Sequence, residues 1–575
     1  MSKSAGVKLP LWRLRVMMLL LLVLLCVLCW RLLGLQVMDT ERGYQFLQGQ
    51  GDARTVRTEI IPAHRGQITD RNGEPLAIST PVISLWANPQ EAAAGRELWP
   101  QLARELDMPL QQLRERLGQP GRRFVYLQRH LPPARAEQIL DLKLPGIYGQ
   151  REYRRFYPAG EVTAHLLGFT NIDDRGQEGL ELAYDEWLSG KPGSKRVLKD
   201  RTGKIIREID AGKPAEPGRD LVLSIDLRLQ YMAYRELRQQ LQEVGAAAGS
   251  LVMLDSRTGE VLAMANVPSF NPNNRSGLKA SHMRNRAMID LMEPGSTTKP
   301  IAFVAALESG KFTPDTEIDT RPGWMQVGRK TLKDPINYGV MTLTSVITKS
   351  SQIGTTRVAL ALPEQAIVDV YRRFGLGQGS GTGFPGEAYG LLPTRSRWSD
   401  IERANFAFGY GLQVSPLQLA RAYSVFANNG KMVPVTLLRR DEVAEGEQVI
   451  SPAIAKAVVD MLATVVAPGG TGRRAAIPAY TAAGKTGTVH KVGEAGYDTD
   501  RYRSVFAGFA PVSSPRVVTV VVIDDPTGKR YHGGEVAAPV FGRVVGGAMR
   551  LLNVAPDAAA HIAQEQRARA RGAAS

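Results

Sequence analysis

The segment GSLVMLDSRTGEVLAMAN, residues 249–266, holds two apolar runs, Gly249 to Asp255 and Glu260 to Asn266, joined by Arg257-Thr258-Gly259. Two runs of strand length around a short polar joint read as an antiparallel hairpin. Just upstream, Leu229, Met232, Ala233, Leu237 and Leu241 recur at helical spacing behind Asp226, a residue able to cap a first turn. Far downstream, Ser504 to Ala510 and Val517 to Ile523 form two more strand candidates, with Pro511 to Pro515 turning between them, and an amphipathic helix follows around Val540 to Leu552. Strands from both ends of the region thus flank a central helical stretch. That is an α+β arrangement, not a parallel βαβ one.

The whole chain, at 575 residues, is too long for one compact core, and two or three globular units are expected. A hydrophobic fraction of 43% with 22% charged residues excludes a multi-span transporter and a wholly disordered chain. The glycines follow no Gly-X-Y period, which excludes collagen. Both cysteines, Cys26 and Cys29, fall in one apolar run, so neither a disulfide framework nor a Cys-based zinc site can hold the folded part. The seven histidines show no His-x-His or His-Glu-x-x-His spacing; neither a metal nor any cofactor is expected.

Near the N-terminus, Val16 to Trp30 carries no charged side chain, and the apolar character continues past Arg31 to Met38. Residues 14–38 therefore read as one bilayer-spanning helix, with Arg31 close enough to an end to snorkel. Lys3, Lys8, Arg13 and Arg15 precede or open the run, which keeps residues 1–13 cytoplasmic and sends everything after Met38 across the membrane. No small-x-small cleavage site follows, so an uncleaved anchor is expected. This orientation changes the meaning of the net charge of +16, because the basic residues then sit in a compartment without nucleic acid. The clusters Arg151, Arg154, Arg155 and Arg567, Arg569, Arg571 read chiefly as solvated faces, or else as contacts with anionic envelope polymers.

Residues 39–220 form an irregular mixed module. Gly66 to Ile78 alternates around Asn72-Gly73, a dipeptide suited to a tight hairpin turn. Arg155-Phe156-Tyr157-Pro158 and Gly176-Gln177-Glu178-Gly179-Leu180-Glu181 have no nucleophile or metal composition, and read as turns and ion pairs that shape a pedestal. The α+β domain takes residues 221–553. A tail rich in Ala and Arg, 554–575, is expected to be unstructured.

Chemistry concentrates at three places. Ser296-Thr297-Thr298-Lys299 follows Glu293-Pro294-Gly295 and opens an apolar helix, Ile301 to Leu307. Serine and lysine three apart share a helix face, so a partly buried lysine with a lowered pKa can take the hydroxyl proton, and the helix N-terminus offers free N–H groups to an oxyanion. A second Ser-x-x-Lys, Ser276-Gly277-Leu278-Lys279, lies in a Pro/Asn/Gly stretch without a helix start. Lys485-Thr486-Gly487-Thr488 lies in a strand-like segment ending at His490; a lysine, a hydroxyl and a glycine there suit a substrate carboxylate docked along a sheet edge. Between them, Ser350-Ser351-Gln352 supplies a serine to relay a proton and an amide to hold a peptide group.

The ordered trio Ser-x-x-Lys, a Ser-x-Asn-like triplet and Lys-Thr-Gly resembles the signature of the penicillin-recognising serine enzymes. The chain is further similar to class B penicillin-binding proteins, monofunctional peptidoglycan transpeptidases, through its single anchor and several stretches. These are Arg65-Gly66-x-Ile68-x-Asp70-Arg71-Asn72-Gly73, Arg155-x-Tyr157-Pro158, Gly176-x-Glu178-Gly179, Glu293-Pro294-Gly295-Ser296, and Gly409-Tyr410-Gly411 before Pro416-Leu417-Gln418-Leu419-Ala420. The resemblance spans roughly residues 10 to 553 and is nearest to the septal, cell-division enzymes of Gram-negative bacteria. It implies that Ser296 attacks a D-Ala-D-Ala stem peptide, Lys299 takes its proton, and Ser350 relays a proton to the leaving group. The backbone N–H groups of Ser296 and Thr488 would form the oxyanion hole, Lys485 and Thr486 would hold the carboxylate beside Gly487, and β-lactams would acylate the same serine. A lipid-II polymerase of the membrane and other divisome proteins are the implied partners.

One residue departs from the pattern: Gln352 stands where the family carries asparagine. The added methylene moves the amide by roughly 1.5 Å, a displacement that can cost about a hundredfold in rate. Two rivals follow, a β-lactamase and a catalytically weak scaffold. The first lacks a Glu-x-x-Leu-Asn stretch to deliver water; the second has Gln352 as its mark. A bifunctional synthase is disfavoured because no Glu-Asp-x-x-Phe-x-x-His stretch occurs in the pedestal.

Overall fold

A computed structural model describes residues 10–36, 56–119, 121–199, 205–443, 445–493 and 496–559. Helix α1 (Leu11–Gln36) has 26 residues, about 39 Å at ~1.5 Å per residue, longer than a ~30 Å hydrocarbon core. Its side chains from Leu11 to Leu33 are exposed, as an apolar helix that crosses a membrane requires. It starts three residues before the expected Leu14; the expected end at Val37 and Met38, with Lys3 and Lys8, lies outside the described residues.

The chain divides into two compact units. The first gathers residues up to His64, Pro81–Glu152 and Gly190–Pro217. In it, strands Val56–Ile61, Gly193–Lys199 and Ile205–Lys213 form an antiparallel sheet. A separate core packs Leu85, Leu102, Leu113, Leu127 and Ile139 from the strands Pro75–Ala87 and Val125–Leu131 and short helices.

The second unit gathers Arg65–Thr80, Tyr153–Ser189 and everything from Gly218. The single pedestal expected over 39–220 is therefore shared between units, and buried charge explains why. Glu181, fully buried, accepts from Arg65 Nε at 2.8 Å and from Arg155 Nε at 2.6 Å, while Arg65 Nη1 reaches Asp185 at 2.7 Å. Guanidinium groups leave water only when carboxylates and carbonyls meet them, which ties these remote stretches together. Burial pulls the Arg65 guanidinium down in pKa, but Glu181 and Asp185 outweigh it and hold it above its ordinary value. Arg155 thus corrects the solvated-face expectation, whereas Arg151 and Arg154 are exposed. Ile68, Leu76, Tyr157 and Leu180 complete the tie by joining the same core as Leu223 and Met264.

The Asn72-Gly73 hairpin forms as expected, with Ile68 opposite Ala77 and Gly73 at φ +89°. Asp70 accepts the N–H groups of Asn72 and Glu74 within that turn, and its second oxygen accepts the N–H of Leu227 at 3.0 Å. Leu227 opens helix α2 (Leu227–Val244), which Asp226 caps through the Arg228 N–H at 3.0 Å.

Behind α2 lies an antiparallel five-stranded sheet of β1 (Ala248–Asp255), β2 (Val261–Val267), β3 (Ala483–Gly493), β4 (Gly496–Ala510) and β5 (Val517–Asp524), in the order β2-β1-β5-β4-β3. The β1–β2 hairpin and the β4–β5 pair match the sequence expectation. Alternate residues serve opposite cores: Leu251 and Met253 pack with Leu229, Leu237 and Phe541, while Val252 and Leu254 pack with Ile301 and Val520. A sheet covered on both faces needs unbroken apolar strands, which is what residues 251–254 and 520–523 supply. The first core is closed by α2 and the C-terminal helix Ala538–Leu551. The second is closed by a helical group that includes α3 (Lys299–Glu308), α4 (Leu343–Lys349) and α5 (Gln352–Ala361). Strand β3 is left at the edge of the sheet.

The expected unstructured tail, 554–575, starts later than its composition implies. Asp557 accepts the Thr481 N–H and the Ser513 hydroxyl, both at 2.7 Å, and Tyr480 donates to the Val554 carbonyl at 2.8 Å. Those bonds fasten residues 554–557 to the domain; Arg567, Arg569 and Arg571 lie outside the described residues.

Candidate active site

The nucleophile candidate sits in a tight turn. Gly295–Thr298 form one 3₁₀ turn that runs into α3, with Pro300 in the first turn of α3, where its missing N–H costs nothing. Thr297 donates to the Pro294 carbonyl at 2.6 Å and Thr298 to that of Gly295 at 3.0 Å, while Tyr423 donates to the Thr297 carbonyl at 2.7 Å. Thr297, Thr298 and Lys299 are buried and Ser296 stays partly exposed, so this turn leaves one hydroxyl open to solvent. Glycines make the close fit possible. A Cβ on Gly409 would stand 2.2 Å from the Gly295 carbonyl oxygen, and one on Gly487 would stand 3.0 Å from that of Pro294.

Three remote stretches meet around the Ser350 hydroxyl. Lys299 Nζ donates to the carbonyls of Ser350 (2.7 Å) and Ser351 (3.2 Å) and to Ser350 Oγ (3.3 Å). Lys485 Nζ donates to Ser350 Oγ at 2.9 Å and to the Thr486 carbonyl at 3.1 Å. Ser350 ends α4 in a left-handed conformation, φ +59°, uncommon for a residue with a Cβ. The result is one partly exposed hydroxyl between two amines. Both lysines are fully buried. Burial lowers Lys299 to about 7 against a smaller upward pull from Asp334, and burial together with the Lys299 charge holds Lys485 well below the ordinary lysine range.

Ser351 caps α5, accepting the Gly354 N–H at 2.9 Å and donating to Asp334 at 2.5 Å. Asp334 also accepts the Gln352 N–H at 2.6 Å. The Gln352 side chain itself is exposed and stands at the first position of α5. Replacing it with asparagine leaves these backbone bonds in place, so Gln352→Asn is expected to hold or raise turnover of a D-Ala-D-Ala peptide. A fall beyond about tenfold in measured D-Ala release would mean a pocket built around the longer amide. On β3, Thr486 donates to the Thr471 hydroxyl at 3.0 Å, and the Thr488 hydroxyl accepts the Gly533 N–H at 3.0 Å.

Residues 60–223 match the penicillin-binding protein dimerisation domain, and residues 249–546 the penicillin-binding protein transpeptidase domain. The chain belongs to the class B penicillin-binding proteins. It is 46% identical over 553 residues to the peptidoglycan D,D-transpeptidase FtsI of Escherichia coli (strain K12), covering 95% of this chain and 93% of that protein. To the probable peptidoglycan D,D-transpeptidase PbpC of Pseudomonas aeruginosa it is 45% identical over 528 residues, 92% and 93% of the two chains. Among solved structures, penicillin binding protein 3 of Mycobacterium tuberculosis, complexed with aztreonam, is 30% identical with a TM-score of 0.67, covering 87% of this chain and 98% of that one.

In this class B penicillin-binding protein, sequence reasoning named both lysines that donate to Ser350 Oγ but missed what holds the neighbouring Ser351 and Gln352. Asp334 is 16 residues ahead of Ser350, in Lys333-Asp334-Pro335, and carries no local mark of its role. Tyr423 and Thr471 were missed for the same reason: each acts by one bond across the fold.

Proposed function

We propose that this class B penicillin-binding protein is a serine D,D-transpeptidase that cross-links peptidoglycan stem peptides. Ser296 Oγ attacks the carbonyl between the two terminal D-Ala residues while Lys299, as the neutral amine, takes its proton. The C–N bond breaks, Ser350 passes a proton to the departing D-Ala amine, and an ester to Ser296 remains. An amine of a second stem peptide then attacks that ester, forms the cross-linking amide and returns the proton to Ser296. The backbone N–H groups of Ser296 and Thr488 hold the oxyanion in both steps. Lys485 and Thr486 take the substrate carboxylate, with Gly487 admitting the peptide to the strand edge and Gln352 binding its amide. A β-lactam enters the same cycle as an acylating mimic.

The contact of Ser350 Oγ with both Lys299 and Lys485 carries this reading, because it unites three stretches 51 and 135 residues apart around one proton path. The positive flank of α1 supports a periplasmic catalytic unit. Likeness to FtsI supports septal work beside a lipid-II polymerase and divisome proteins.

The test is the acylation of full-length protein by a penicillin, followed by mass spectrometry and by rate against pH. The adduct is expected on the peptide that contains Ser296. Lys299 serves as a base only when deprotonated, so the rate constant rises about tenfold per pH unit below about 7 and levels off above it, the limb belonging to the coupled lysine pair. An adduct on another residue, or a flat profile from acid to alkaline pH, would overturn the reading.

A further inference from the structure

Glu293 lies three residues ahead of Ser296, on the strand of chain that enters its turn. Its Oε1 accepts the Gly411 N–H at 2.8 Å, and its two oxygens share the Tyr497 hydroxyl at 2.9 and 3.0 Å. Both donors are neutral. A carboxylate has about four acceptor positions, so about half stay open. Among the described residues Glu293 joins no ion pair, although the chain carries sixteen excess positive charges. The group is partly exposed, and the Tyr497 ring whose hydroxyl it accepts meets the Tyr410 ring edge to face, with centroids 5.9 Å apart. A carboxylate with open acceptor positions next to an aromatic pair suits a cation, and a primary ammonium in particular.

Its place along the sheet edge says where that cation comes from. Tyr497 pairs with Val492 at the far end of β3, seven residues beyond Lys485. A peptide lying antiparallel on this edge, its terminal carboxylate at Lys485 and Thr486, directs its preceding residues toward Val489 and then Glu293. The reaction also guarantees an amine. Donor and acceptor are copies of one stem peptide, so the group that attacks from one strand is carried, unreacted, by the other.

We propose that Glu293, framed by Tyr410 and Tyr497, binds the side-chain ammonium of the donor stem peptide and thereby selects diamino stem peptides. This rests on the transpeptidase reading. Recognition of the acceptor's amine before attack has the same chemistry, and the experiment separates the two.

Full-length protein in detergent is given two synthetic pentapeptides ending in D-Ala-D-Ala, one with lysine at the third position and one with Nε-acetyl-lysine, and D-Ala release is measured without added acceptor. The expected ratio of kcat/KM, lysyl over acetyl-lysyl, is about tenfold in the native protein, about one in Glu293→Gln, and intermediate in Tyr497→Phe. A ratio taken within one variant cancels any damage to the nucleophile or the fold. The second arm uses the acetylated donor with a lysyl acceptor. A ratio near one in the first arm, with aminolysis over hydrolysis falling about tenfold in Glu293→Gln in the second, moves the ammonium to the acceptor and overturns the donor assignment. Ratios unchanged within about twofold in both arms overturn ammonium binding altogether. If a penicillin adduct still forms in that case, the transpeptidase reading survives; if the native protein forms no adduct and releases no D-Ala, that reading falls and takes this one with it.

Discussion

Alanine at position 296 is expected to abolish penicillin adduct formation and D-Ala release, by about 10⁴-fold or more, without disturbing the fold. Among the described residues the Ser296 hydroxyl makes no hydrogen bond, and the turn around it is held by Thr297, Thr298 and Tyr423. Deleting Oγ therefore removes the proposed nucleophile and little else. The backbone N–H at 296 remains, as do Lys299, Ser350 and Lys485, so reversible binding of a penicillin survives in the variant. Intact-mass spectrometry reads the covalent step, and thermal unfolding checks that the melting temperature stays within a few degrees. Adduct formation by Ser296→Ala would transfer the chemistry to another residue.

The second large effect lies away from the cleft. Glu181→Ala is expected to cost about 3–5 kcal/mol, because it strands two buried guanidinium groups that now share one carboxylate. A domain of this kind has about 5–15 kcal/mol in total, so the variant stands near the edge of unfolding. Arg65 retains Asp185 and the Asp174 carbonyl, and Arg155 retains the Gly66 carbonyl, which is why the cost is not that of two bare ions. Glu181→Gln keeps an acceptor and is expected to lose less. Denaturant titration of both variants measures the order, and a loss under about 1 kcal/mol for the alanine would show that the network adds no net stability.

Much of the second unit was legible in the chain. The hairpin of residues 249–266 and the strands near 504–523 announce themselves because a sheet buried on both faces demands continuous apolar runs, and α2 because its buried face repeats at 3.6 residues behind a capping aspartate. The turn at Asn72-Gly73 is equally local. Less legible was Arg155, which stands near the exposed Arg151 and Arg154 and differs from them only in what the fold brings to it. Asp557 hid in the same way: an alanine-rich composition marks the tail, and a single carboxylate on Thr481 and Ser513 fastens its start.

Local patterns of polarity were enough to determine the α+β class, the long apolar N-terminal helix and the order of Ser296, Lys299, Ser350 and Lys485, because periodicity and short motifs are written within a few residues. Folding alone decided that Ser350 Oγ stands between two amines, that Asp334 braces Ser351, and that Glu293 meets only neutral partners among the described residues. Each of those contacts joins groups 17 to 204 residues apart. Which carboxylate meets which donor across such distances depends on strand register and helix packing, and no nearby residue encodes it.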